Sequence, residues 1–60
     1  MKIGIAEFRK MVHDLMFEQS QLDISNIGGI FCVKTIIEGE VFSCDITARD
    51  EQHAKCCLGF

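Results

Sequence analysis

The stretch GIFCVKTII, followed by EG and then EVFSCDITA, constrains this chain more than any other part of it. Eight residues rich in β-branched and aromatic types run from Ile30 to Ile37, and a second, more clearly alternating run begins at Glu40. Between them stand only Glu38 and Gly39, a two-residue connection of the kind that closes a β-hairpin. With that turn, Ile37 opposes Glu40, and the register pairs Thr35 with Phe42, Val33 with Cys44 and Phe31 with Ile46. These residues form the face expected to be buried. The opposite face carries Ile30, Cys32, Lys34 and Ile36 against Val41, Ser43, Asp45 and Thr47, with Lys34 in diagonal reach of Asp45. Half of it is apolar, which is too much to leave in water.

Helical periodicity flanks the hairpin on both sides. Ile5, Phe8, Met11, Val12, Leu15 and Met16 recur at three-and-four spacing and fill an arc of about 140° on a helix predicted over about 4–20. Phe17 falls outside that arc. The segment SQLDISNIGG contains the residues that bend chain, so a loop is predicted over about 21–29, with Leu22, Ile24 and Ile27 holding it to the core. After strands over about 30–37 and 40–48, Asp50 is a fair N-cap for a short helix over about 50–58. Ala54, Cys57 and Leu58 share its stripe. The reading is one α+β domain over 1–60, helix-strand-strand-helix, with no repeat and no linker.

An isolated hairpin is marginal, and each of its strands presents an outer row of unpaired backbone groups. A chain of 60 residues also buries only about 60% of the surface it exposes unfolded, so it has little stability in reserve. Both difficulties are met if the first strand pairs with its own copy across a two-fold axis. That completes a four-stranded antiparallel sheet in a homodimer. The interface expected on this basis comprises Ile30, Cys32, Val33, Lys34 and Ile36, with Val33 and Lys34 nearest the axis. A strand supplied by another protein would serve the same edge.

The residue inventory narrows the function. His53, Cys56 and Cys57 lie three and four apart on the final helix, close enough for one ion to bridge a pair, but a closed zinc site needs four ligands. Cys32 and Cys44 are single strand residues that the register turns to opposite faces. The adjacent Cys56 and Cys57 lack the spacing and the helix N-terminal position of a thiol-exchange pair. Small hydrophobes filling a helix face are the expected role of these thiols, and no metal or other cofactor is expected. His13 and Asp14 are adjacent on the first helix and diverge, and IGGI lacks the lysine and hydroxyl of a phosphate loop. No enzyme is expected.

A net charge of −3 with scattered basic residues argues against nucleic-acid binding. No run approaches the roughly 20 apolar residues that cross a bilayer, and the N-terminal residues form no signal-peptide core, so a cytoplasmic protein with reduced thiols is expected. What remains is a non-enzymatic protein-binding module that occupies a surface of a larger protein. By analogy of size and composition alone, it is expected to be an inhibitor or adaptor, such as a phage-type inhibitor of a host defence system. Asp14, Phe17 and Glu18, off the core stripe of the first helix, are its expected partner-binding residues. The alternative is a small thiol or metal-binding module using His53, Cys56 and Cys57.

Overall fold

The computed structural model describes residues 1–60. It contains helix α1 (Ile5–Asp14), a single 3-10 turn (Gln19–Gln21), strands β1 (Asp23–Ile27), β2 (Ile30–Ile37) and β3 (Glu40–Thr47), and helix α2 (Glu51–Cys57). The three strands form one antiparallel sheet in the order β1-β2-β3.

The hairpin register is as the alternation predicts. Thr35 pairs with Phe42, Val33 with Cys44 and Phe31 with Ile46. Glu38 and Gly39 both adopt positive φ, the two-residue turn whose twist matches that of the strands it joins. Phe31, Val33, Cys44 and Ile46 pack beneath Phe8 and Val12 of α1 and Ala54 and Leu58 of α2, and these eight residues are the buried hydrophobic core. Thr35 is the one buried polar residue, and its hydroxyl donates to the carbonyl of Gln21 at 3.2 Å. Both helices thus lie on one face of the sheet.

Three expectations need correction. The predicted loop at 21–29 holds a strand: Asp23–Ile27 pairs with β2 from Asp23 opposite Lys34 to Ile27 opposite Ile30, around a turn made by Gly28 and Gly29. Asp, Ser and Asn are poor strand formers, but Asp23 and Ser25 point to the uncovered face, where polarity costs nothing. The sheet therefore gains its extra strand from the same chain, and three strands replace the four of a strand-paired dimer. Because β1 occupies the outer edge of β2, pairing of β2 with its own copy along Ile30–Ile36 is not open to this fold. Val33, placed in that interface, is wholly buried under the helices instead.

Helix α1 also stops earlier than its periodicity suggests. Its last turn closes with Met16 N–H donating to His13 O and Phe17 N–H to Val12 O, a Schellman cap with Met16 at φ 56° in the position that glycine usually fills. The reversal exchanges two side chains. Met16, expected in the core stripe, is 85% exposed, and Phe17, expected outside it, packs on the core. Leu15 and Ile5, also in the expected stripe, are exposed as well.

Candidate protein-contact surface

The sheet face turned away from the helices has no cover. Register assigns it four rows across the strands: Ile36 with Val41, then Asp23, Lys34 and Ser43, then Ser25, Cys32 and Asp45, then Ile27, Ile30 and Thr47. Its two ends are apolar and its middle is polar. Ile36 and Ile27 are 67% and 70% exposed, and Ile30 and Val41 are each exposed to 45%. These are four of the eight large hydrophobic side chains that the chain leaves in water, gathered on one flat surface.

The polar middle is organised by the N-terminal residues. Met1–Ile3 runs parallel to β3, with Ile3 N–H donating to Ser43 O at 2.8 Å and Ser43 N–H to Met1 O at 2.9 Å. This fixes Lys2 on the open face, where its ammonium pairs with the carboxylate of Asp45. The hydrogen bond and charge of Lys2 hold the Asp45 carboxyl below the usual aspartate range, and Asp45 in turn raises Lys2 above the ordinary lysine value. Lys34, expected to reach Asp45 diagonally, makes no ion pair in the chain: Asp45 is taken by Lys2, and Asp23 stands opposite Lys34 on β1 without closing a salt bridge.

At one end the surface continues around the sheet. Strand β1 begins opposite Lys34, so Ile36 and Ile37 have no neighbour on that side. A groove of about 470 Å³ opens there, with Phe17 and Gln21 on the helix side and Ile36 and Val41 on the open side. Of the three residues expected to meet a partner, Phe17 is half-buried on this groove, while Asp14 and Glu18 are exposed near the end of α1. Glu18 also opens the 3-10 turn, its backbone N–H donating to Gln21 Oε1 at 2.8 Å.

The residues of the alternative thiol or metal site are placed on α2. Asp50 caps this helix, accepting the N–H of His53 at 2.8 Å, and the imidazole of His53 turns back so that Nδ1 accepts the N–H of Arg49 at 3.4 Å. Cys56 is exposed, whereas Cys57 is half-buried against the core. No three His, Cys, Asp or Glu side chains converge anywhere in the fold. All four cysteines are free; Cys44 lies in the core and Cys32 on the open face, and burial pushes the Cys44 thiol up to about 11.

Sequence reasoning identified the half-apolar second face of the hairpin, but missed β1, which extends that face with Ile27. Its signal was the paired glycine between Ile27 and Ile30, a two-residue hairpin connection as clear as Glu38-Gly39. No helix is long and apolar enough to cross a membrane. Comparison with protein families, with curated proteins and with solved structures found no match to this chain.

Proposed function

We propose that this chain is a small non-enzymatic protein-binding module, an inhibitor or adaptor that acts by occupying a surface of a larger protein. One observation carries the reading: a sheet face with exposed Ile27, Ile30, Ile36 and Val41 is left without cover in a chain too small to spare apolar area. A flat surface with aliphatic ends and a hydrogen-bonding middle suits another protein better than a small molecule, which needs a concave site. Phe17, at the edge of the groove, supplies an aromatic contact, and Asp14 and Glu18, exposed near the end of α1, are offered as further partner contacts outside the groove.

The test uses the chain as bait against a lysate, with two variants of matched charge, one on the open face and one control. Ile36→Lys should abolish retention of a specific protein, whereas Gln52→Lys, at an exposed position on α2, should leave it unchanged. Retention that ignores Ile36→Lys would overturn the assignment of the open face.

A further inference from the structure

The open face has a pattern that determines which surface fits it. Rotating a second copy end for end, about an axis that lies between the two sheets and crosses the strands, brings row one over row four and row two over row three. Ile36 then stands over Ile30, and Val41 over Thr47. Lys34 stands over Cys32, one strand away from Asp45 of the copy, and Ser43 faces that carboxylate directly. Apolar ends meet apolar ends, and the polar middle meets itself with donors facing acceptors.

Charge points the same way. The open face carries two cations, Lys2 and Lys34, and two anions, Asp23 and Asp45, so it is neutral, while the remaining surface bears the whole formal charge of −3. Two copies approaching on this face meet with no net charge on either side, whereas the rest of the surface, with four cations and seven anions, carries a net negative charge. Lys34, which makes no ion pair in its own chain although Asp23 stands opposite it on β1, comes within reach of the copy's Asp45. The alternative two-fold, along the strands, would set Lys34 against Lys34 and is disfavoured by that repulsion.

We propose that the open sheet face is a self-association surface on which a second copy of this chain docks face to face and end for end, with the Lys34 of each copy paired with the other's Asp45. The result is a six-stranded sandwich with helices on both outer sides. Its sheets lie about 10 Å apart, a gap that a lysine side chain spans towards a carboxylate. Two eight-residue strands and the five-residue β1 define a plane of about 340 Å², well under the roughly 800 Å² per partner of a standard interface, so the dimer belongs to the weak, transient class. This inference rests on the reading of the open face as a protein-contact surface; a second copy and the larger partner would use that face in mutually exclusive complexes.

Sedimentation velocity over about 1 to about 500 µM should show a reversible monomer–dimer equilibrium, weakened about tenfold or more by Ile36→Lys, a change at an exposed position that leaves the fold intact by circular dichroism. Lys34→Glu alone should be monomeric. So should Asp45→Lys, made together with Lys2→Glu to keep the intrachain pair. Mixed in equal amounts, these two should form a heterodimer, since each interface then contains one original and one reversed pair. A chain that remains monomeric throughout that range overturns the self-association. So does a dimer indifferent to Ile36→Lys, or one that the mixture fails to restore. A monomeric chain that still loses a captured protein through Ile36→Lys would refute the self-pairing alone and leave the contact surface standing.

Discussion

Gly59 lies directly against the imidazole of His13: a Cβ placed on this glycine would collide with Nε2 and Cε1 of the ring. Gly59 is the left-handed residue of the cap that ends α2, at φ 87°, with Phe60 N–H donating to Lys55 O and Gly59 N–H to Cys56 O. The missing side chain thus both permits the cap and lets the C-terminus sit under α1.

Gly59→Ala should therefore be destabilising on two counts: about 1–2 kcal/mol for an alanine held left-handed, and a smaller cost for pushing aside the exposed imidazole of His13. Adding His13→Ala should recover only the second part. Chemical denaturation of the two variants and the wild type separates the contributions, and an unchanged midpoint for Gly59→Ala would contradict both.

Met16 occupies the equivalent position at the end of α1 without the advantage of glycine. It has φ 56°, is 85% exposed and makes no compensating burial. Met16→Gly should raise stability by about 1 kcal/mol, visible as a higher denaturant midpoint at unchanged slope.

The Lys2–Asp45 pair gives the chain a pH dependence whose sign follows from the two shifts. The depressed Asp45 carboxyl stabilises the fold above the ordinary aspartate range near ~3.9, and this is lost as pH falls through the lower folded value. The raised Lys2 ammonium contributes below the ordinary lysine range near ~10.4, and this is lost as pH rises through the higher folded value. Asp45→Asn should lower the melting temperature slightly at pH 6 and by less at pH 2, because the wild-type advantage fades as the carboxylate takes up its proton. Equal effects at both values would assign the loss to packing.

Thiol chemistry should divide the cysteines by burial. Cys56 is exposed and should be alkylated within minutes at pH 8, whereas Cys44, buried and shifted up to about 11, should react only through unfolding. Its raised value means that the folded state retains the proton. The associated stability is complete below the ordinary thiol range near ~8.5 and fades as pH climbs towards about 11. Mass spectrometry of peptides from briefly labelled native protein checks the order.

How much of this was legible in the sequence depends on where the determining interaction lies. The hairpin was readable because a two-residue turn and a period of two together leave one register, and Asp50 was readable because capping acts over three residues. The end of α1 was not. Nothing in the order Leu15, Met16, Phe17 announces a left-handed methionine, and the helical period continues smoothly past the point where the chain turns. Strand β1 was hidden by composition: Asp23, Ser25 and Asn26 are unfavourable locally and are held in the sheet by pairing with β2. Lys34 and Asp45 were correctly placed on one face, but their pairing was decided by Lys2, about 40 residues away, which no local pattern connects to β3.

The sheet's two margins are unequal, and that inequality limits how it can grow. Strand β1 presents a short bare edge of five residues, whereas β3 is blunted by Met1–Ile3 lying alongside it and by the charges of Glu40 and Asp45. A fibril needs each new copy to offer a fresh edge for the next, and here a copy added at β1 would present only its obstructed β3 margin outward. Edge-to-edge polymerisation therefore terminates after one addition, so a chain with so apolar a central strand is protected against amyloid-like ribbons by its own first three residues.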